Sequence, residues 1–486
     1  MVRAAAVRRA IRRLSFKWAN INTRRLWASK PMPHMHTCTH YICVHTYVHI
    51  YAFWQVSAST WARPGHILNK QPPFSLGNRL LQFSEKNKTA TDDNNATKNH
   101  VAATVRANKK NWLKKKVRRI QNDGYNVERH SVTTKDGYVL TLHRIPQVDP
   151  ELGSLLRRPV VFLLSGLYAS SDVWLLNGRE DSLAYLLWRA GYDVWLGNNR
   201  GNIYCRKNMW RNTTEREFWD FSWHEMGVYD LPAQVDYVLR TTGQKAMHFV
   251  GISQGGTVFL VLNSMMPQYN AVFKSATLLA PVAYVSNTKS GLAKVIGPVL
   301  GTRNYVSKML EGVEMFSTNK FFKKFLSMTC LENEKPLVCI SRLWPAVGYD
   351  TRFLNKTLLP DLMANFPAGG SVKQLMHYFQ GYVSTRFRQY DYGPERNWLH
   401  YQQLEPPEYA LENVSTPVTV FFSENDYIVA PADIWRLLTR LPNVEAVYKV
   451  PWKRWNHFDF ICGLGVREYI FDNIVLSMNR YEQRRR

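Results

Sequence analysis

The stretch Ala246-Met247-His248-Phe249-Val250-Gly251-Ile252-Ser253-Gln254-Gly255-Gly256, followed by the apolar residues 257–266, decides how this chain folds. Residues 246–250 are a short apolar run bounded by glycine, the composition of a buried strand, and residues 257–266 are compatible with a helix. The residues between them leave room only for a sharp turn. A serine on such a turn needs glycine two positions before and two after, because the bent backbone brings neighbouring chain too close for side chains there. The turn exposes the hydroxyl and aims the next backbone N–H at the oxygen that becomes negative during acyl transfer. The five-residue pattern recurs by chance in many chains; the strand before it and the helix after it give it weight.

Serine is a weak nucleophile until an imidazole takes its proton, and the imidazole must be held in one tautomer by a carboxylate. On a strand-turn-helix elbow the expected chain order is Ser, acid, His. Residues 417–422, Pro-Val-Thr-Val-Phe-Phe, read as a further buried strand ending in Ser423-Glu424-Asn425-Asp426. That puts the Asp426 carboxylate at the carboxyl end of a strand, where open parallel sheets bind ligands. Glu424 and Asp433 are nearby competitors. Residues 444–450 read as the next strand, and the loop after it carries Trp455-Asn456-His457-Phe458-Asp459. His457 is the only histidine beyond Asp426, so it is the expected base, set against the commoner fate of a lone histidine in core or surface. A second oxyanion donor belongs after an early strand; residues 159–164 are that strand, and Ser165-Gly166-Leu167 follows. The backbone N–H groups of Leu167 and Gln254 would form the hole, each such donor contributing about 3 kcal/mol to the transition state. The expected fold is therefore that of an α/β-hydrolase, with a mostly parallel central sheet flanked by helices. The expected catalytic residues are Ser253, Asp426 and His457, with no metal and no organic cofactor.

Composition sets the bounds. With 45% apolar and 13% aromatic residues, the 486-residue chain can build a sizeable core. Its formal charge of +26 suggests nucleic acid or membrane until it is divided along the chain. Residues 1–120 hold 23 Lys/Arg against 3 Asp/Glu, whereas residues 121–486 hold 40 against 34, so the globular part is close to neutral. No uninterrupted apolar run reaches the roughly 18 residues of a membrane-spanning helix. The basic run from Lys109 to Arg119 contains one aromatic, Trp112, and no recognition motif, so a solvated linker or helix face is expected there and no nucleic-acid partner. Cys330 and Cys339 bracket a stretch whose Asn, Glu and Pro suit a surface loop, open to a disulfide or to two buried thiols. Five sequons, at Asn87, Asn95, Asn212, Asn355 and Asn413, are compatible with the secretory pathway.

Residues 1–110 form a basic, low-complexity extension. The first acidic residue is Glu85, and the Arg-rich opening resembles a mitochondrial presequence while lacking the apolar core of a secretory signal. Ile42-Cys43-Val44-His45-Thr46-Tyr47-Val48-His49-Ile50-Tyr51-Ala52 alternates two residue sets whose codons have opposite purine-pyrimidine form, the product of a translated simple repeat. The hypothesis is that much of this extension stems from a wrongly chosen start or retained non-coding sequence; a β-strand of period two and a His/Cys metal tract are the alternatives. A transcript encoding a hydrophobic signal directly before about residue 110 is the expected finding, and a protein proven to begin at Met1 would sink the idea.

Read together, these residues resemble the acid lipase family that includes gastric and lysosomal lipases, over roughly residues 120–480. The resemblance starts at Gly124-Tyr125 and residues 136–146, Asp-Gly-Tyr-Val-Leu-Thr-Leu-His-Arg-Ile-Pro. It continues through Gly191-Tyr192-Asp193-Val194-Trp195-Leu196-Gly197-Asn198-Asn199-Arg200-Gly201-Asn202 and Phe218-Trp219-Asp220-Phe221-Ser222-Trp223-His224-Glu225-Met226. The string Trp195-Leu196-Gly197-Asn198-Asn199-Arg200-Gly201 beside this elbow is highly specific, and the residues around Asp426 and His457 match as well. The resemblance implies that residues 111–285 and 411–486 form the core and residues 286–410 an inserted, mainly helical cap, whose Met376-His377-Tyr378 and residues 387–393 are similar to cap sequences. It also implies that Cys330 and Cys339 form a cap disulfide, worth about 2–3 kcal/mol if unstrained. The implied activity is hydrolysis of neutral lipid esters, triacylglycerol or sterol ester, through an acyl-Ser253 intermediate. A transient contact with lipid surfaces and a secreted or lysosomal location go with it; the alternative is a lipid-binding, catalytically impaired homologue. Five positions depart from the family pattern: Ser165 and Ile252 replace histidines, Gly256 a threonine, Cys205 a serine and Cys462 a tryptophan. None is a member of the expected triad.

Overall fold

Apolar runs and short alternating segments become one eight-stranded sheet of order β1-β2-β4-β3-β5-β6-β9-β10. The computed structural model describes residues 117, 119–147, 158–316, 344–349, 352–353 and 355–484. The extension 1–110, nearly all of the basic run and the pairing of Cys330 with Cys339 lie outside the described residues. The strands are β1 (Glu128–Thr133), β2 (Val139–Ile145), β3 (Val160–Leu164), β4 (Asp193–Gly197), β5 (Met247–Ile252), β6 (Phe273–Leu279), β9 (Val418–Phe422) and β10 (Val444–Lys449), with β7 (Glu314–Met315) and β8 (Gly370–Ser371) paired apart from them. β2 is antiparallel to β1 and β4; every other neighbouring pair in the large sheet is parallel.

Parallel strands covered on both faces must be apolar throughout, and β3, β5 and β9 are buried at every residue. Their side chains alternate between two cores. Phe162, Phe249 and Val420 pack with Leu231, Val235, Val258 and Leu262 of the helices Leu231–Thr242 and Gln254–Met265. Val161, Val250 and Phe421 pack on the opposite face with Leu183, Leu187, Ile470 and Ile474. The first of these helices is delimited as its sequence dictates: Pro232 occupies the first turn, where no N–H is needed, and Gly243 takes a left-handed φ of 64° just past the end. β10, on the edge, is mostly exposed and carries Glu445 and Lys449, charges that discourage pairing with another chain.

The register aligns the carboxyl ends of the parallel strands. Leu164 of β3 pairs with Gly197 of β4 and Gly251 of β5, Ile252 with Leu279 of β6, and Phe422 of β9 with Lys449 of β10. β5 thus runs two residues beyond the apolar stretch 246–250, because Gly251 and Ile252 still pair with the flanking strands. The chain places β4 on one side of β3 and β5 on the other, so the sheet reverses winding direction beside Ser253, the kind of crevice in which α/β sheets bind ligands.

The 195–201 string gains its meaning from two buried polar clusters. Asn198 Oδ1 accepts the N–H of Ser171 at 2.9 Å and the Asn202 amide at 2.9 Å. Arg200, 1% exposed, donates to Asp230 from Nε at 2.8 Å and from its backbone at 2.9 Å, reaches Asp136 at 2.9 Å from Nη2, and lies 4.1 Å from the centre of the Tyr138 ring. A charge this deep is tolerated only when every partner is in place; stranding one partner typically costs about 3–5 kcal/mol.

Candidate active site

The elbow has the geometry its glycines suggest. Ser253 takes φ 53° and ψ −116°, outside the regions open to ordinary residues, and the helix Gln254–Met265 begins at the next residue. A Cβ on Gly255 would lie 2.3 Å from the carbonyl oxygen of Leu164, and one on Gly251 would lie 2.8 Å from the backbone of Gly255. The Ser253 N–H bonds the carbonyl of Leu279 at 2.8 Å, tying the turn to β6. Gly256, where the family pattern has threonine, faces Pro281, whose Cβ would sit 2.9 Å from an added Cβ; here glycine is a packing requirement of this chain.

The expected acid and base meet. His457 Nδ1 lies 2.6 Å from Asp426 Oδ2, and Asp426 Oδ1 accepts the N–H groups of Ile428 and Val429, each at 2.9 Å. The two competing carboxylates are committed elsewhere. Glu424 is half-exposed and ion-paired with Lys449. Asp433 accepts from the Ser286 hydroxyl at 3.1 Å and from the Asn287 backbone at 2.9 Å, where the chain leaves the core. The loop bearing His457 is stiffened by its own polar turn, in which Asn456 N–H bonds Asp459 at 2.7 Å and Asn456 Oδ1 accepts the Phe458 N–H at 2.8 Å. From the inserted segment, the Val347 carbonyl accepts the N–H groups of both His457 and Tyr427, each at 3.3 Å. Gly348 beside it allows that approach, since a Cβ there would lie 2.1 Å from the Asn425 carbonyl oxygen.

Gly166 brings the second loop against the elbow: a Cβ on it would be 3.1 Å from Ser253 Cβ and 3.6 Å from its hydroxyl oxygen. The loop is anchored by the Ser171 bond to Asn198 at 2.9 Å and by Asn202 Nδ2 donating to the Ala169 carbonyl at 3.4 Å. Gln254 is the first residue of its helix, so its N–H has no partner within that helix. Ser165 is buried immediately before this loop.

Gly166, Leu167, Ser253 and His457 all face one cavity of about 300 Å³. Its remaining wall is overwhelmingly apolar, including Val282, Val285, Phe379, Phe458 and Ile461. Ile252 and Cys462, two of the departures from the family pattern, belong to that wall. Burial pushes the Cys462 thiol up to about 12, so it is an uncharged apolar group at neutral pH, and the buried Cys205 thiol is likewise shifted upward. Among the described residues, no cluster of three His, Cys, Asp or Glu side chains has a metal-binding arrangement, and no helix is long and apolar enough to cross a membrane.

Residues 377–390 pack against Trp223 and Ser222 through a buried aromatic seam. His377 stacks on Trp223 with ring centres 3.6 Å apart, Nδ1 3.0 Å from the Ser222 hydroxyl and Nε2 3.0 Å from the Arg388 carbonyl. Burial holds its pKa well below the usual 6.5, and burial lowers His224 and His248 as well. Each such histidine stays neutral in the folded protein but takes up a proton once unfolded. Stability is therefore fully present above pH 6.5 and is lost as pH falls below it, by up to about 1.4 kcal/mol per pH unit per histidine. Melting temperatures measured from pH 7 to pH 5 are expected to fall, with a shallower slope in His377→Gln; an unchanged slope would show that His377 is not a source of it.

The family comparisons agree with this architecture. Residues 117–178 match a partial alpha/beta-hydrolase lipase region, and residues 159–461 match the alpha/beta hydrolase fold. The chain is 43% identical to Lipase 3 of Drosophila melanogaster over 75% of this chain and 92% of that one. It is 38% identical to the gastric triacylglycerol lipase of Homo sapiens over 72% and 87% of the two chains, and 35% identical to Lipase member K of Homo sapiens over 74% and 89%.

Proposed function

The chain belongs to the lipase branch of the α/β-hydrolase family and is a carboxylic ester hydrolase; from that premise we propose that it cleaves neutral lipid esters, triacylglycerol or sterol ester, by acyl transfer through Ser253. The observation that carries the reading is the bond between His457 and Asp426 at 2.6 Å beside an apolar cavity that Ser253 shares. Gastric triacylglycerol lipase, whose name states its substrate, is among the relatives and supports the substrate class.

In this mechanism Asp426 holds the Nδ1–H of His457, leaving Nε2 to take the Ser253 proton as Oγ attacks the ester carbonyl carbon. The tetrahedral oxyanion accepts the N–H groups of Leu167 and Gln254. Its collapse breaks the bond to the alcohol oxygen, which leaves with the proton carried by His457. Water, deprotonated by the same imidazole, then releases the fatty acid from Ser253. Residues 111–285 and 411–486 act as the core and residues 286–410 as the cap, which keeps the acyl chain away from water. The enzyme is secreted or lysosomal and touches lipid surfaces transiently.

A fluorophosphonate tests the assignment directly, because it reacts only with an activated serine. The full chain is expected to be labelled, and peptide mapping is expected to find the phosphonyl group on Ser253. A folded protein that takes up no label, or one labelled at another serine, overturns the assignment; the unlabelled outcome would point to a lipid-binding homologue.

A further inference from the structure

One stretch of the cap, residues 368–378, grips both walls of the proposed oxyanion hole. On one side it holds the loop that carries Leu167. The Ala368 N–H bonds the carbonyl of Tyr168 at 2.6 Å, and the Tyr168 hydroxyl donates to the carbonyl of Ser371 at 3.1 Å. Tyr168 is itself in a left-handed conformation, φ 53°, which a non-glycine residue keeps only where its surroundings impose it. On the other side the stretch holds Gln254. The Gln254 side-chain amide donates to Gln374 Oε1 at 2.8 Å and points at the Met226 sulfur at 3.1 Å, with both glutamines fully buried. One turn further along the cap helix Val372–Ser384, the Tyr378 hydroxyl lies 2.9 Å from Thr257 Oγ1, whose backbone N–H bonds the Ser253 carbonyl at 3.2 Å. Gly370 lets the two grips share one turn of chain, since a Cβ there would lie 2.5 Å from Gln374 Nε2 and 2.8 Å from the Tyr168 ring.

Resting on the assignment of Leu167 and Gln254 as oxyanion donors, we infer that Gln374 is a positioning residue for catalysis: it fixes the Gln254 side chain, and through it the direction of the Gln254 N–H. The physical reason lies in the elbow. The Gln254 amide follows the strained Ser253, and the first N–H of a helix has no intrahelical bond to hold it. Its direction is set by the peptide plane between Ser253 and Gln254. The carbonyl end of that plane is held by the N–H groups of Gly256 and Thr257 at 3.0 and 3.2 Å, and Gln374 holds its other end through the Gln254 side chain. An oxyanion donor acts through its fixed aim at the developing charge, and misplacement by an ångström can cost about a hundredfold in rate. Because Gln374 belongs to the cap, seating the cap and completing the hole become one event.

The test uses the full-length enzyme on a water-soluble short-chain ester, so that lipid-surface effects do not enter. Gln374→Met keeps the length of the side chain and removes the acceptor; kcat is expected to fall roughly 10- to 100-fold with KM within about twofold. Gln374→Glu keeps an acceptor oxygen in either protonation state and is expected to stay within about threefold of the parent. Gln254→Met removes the donor from the other side and should reproduce the kcat loss, with the double variant no slower than either single one. A merely structural glutamine would lower the melting temperature and leave kcat of the folded fraction unchanged. Parental kcat in folded Gln374→Met, or equal losses in the Met and Glu variants, overturns the inference. If Gln374→Met does not fold, parental kcat in Gln254→Met does so. An active parent whose activity vanishes in Ser253→Ala leaves the proposed function standing in either case.

Discussion

Ser253→Ala is expected to lower kcat about 10⁶-fold on both emulsified triacylglycerol and soluble esters, while the protein keeps its fold. The magnitude follows from what remains: the oxyanion donors and the binding cavity still stabilise the transition state for attack by water, leaving a residual enhancement of roughly 10³–10⁴ over the uncatalysed reaction. The fold survives because the substitution removes one oxygen and keeps the Cβ. The positive φ of 53° is no worse for alanine than for serine, and the bond from the residue 253 N–H to the Leu279 carbonyl, 2.8 Å in the parent, does not involve the side chain. Matched melting curves with turnover at the residual level are the expected result. Turnover within tenfold of the parent would mean that another group performs the attack.

How far such a site can be read from sequence depends on whether its determinants are local. The elbow is local: strand, two glycines and helix lie within 20 residues, and the steric demand for each glycine is visible in the spacing. The core strands were legible because strands buried on both faces must be apolar throughout. His457 is legible as the candidate base from chain order, being the last histidine. Chain order alone leaves Asp426, Glu424 and Asp433 in competition, because the acid depends on which carboxylate the fold turns toward the imidazole. Tertiary contacts set where each carboxylate goes: Asp426 meets His457, Glu424 pairs with Lys449 and Asp433 bonds Asn287. Contributions from the inserted segment were not legible at all. Val347, Gly348, Ala368 and Gln374 carry no motif, and they act at the site only because the chain returns to it across about a hundred residues.

The same molecule shows why distances between side chains do not suffice. Ser275, His248 and Glu482 also line up as hydroxyl, imidazole and carboxylate, at 2.7 Å and 2.9 Å. Ser275 sits inside β6, paired directly with His248 of β5, with no turn to expose its hydroxyl. Lys274 shares Glu482 at 2.6 Å, so the cluster ties the final helix to the sheet. What separates the Ser253 constellation is position: three loops at the carboxyl edge of a parallel sheet, around an apolar cavity.

Asp426→Asn is expected to lower kcat by about 10⁴ at neutral pH, more than removal of a hydrogen bond alone would predict. The hydrogen-bond network dictates the reason. Oδ1 accepts two backbone N–H groups, from Ile428 and Val429 at 2.9 Å each, so the asparagine must keep its carbonyl oxygen there. Its NH₂ group is then forced toward His457 Nδ1, 2.6 Å from the oxygen it replaces. That nitrogen must now accept, which moves the imidazole proton to Nε2, the atom that should take the proton of Ser253. The variant would hold an intact, well-folded site in the wrong tautomer, and fluorophosphonate labelling should slow in parallel with turnover. Glu424→Gln, two residues earlier in the same loop, removes only a surface partner of Lys449 and should leave kcat unchanged. Equal losses in the two variants would mean that neither carboxylate orients the base, and an Asp426→Asn enzyme within tenfold of the parent would remove Asp426 from the mechanism.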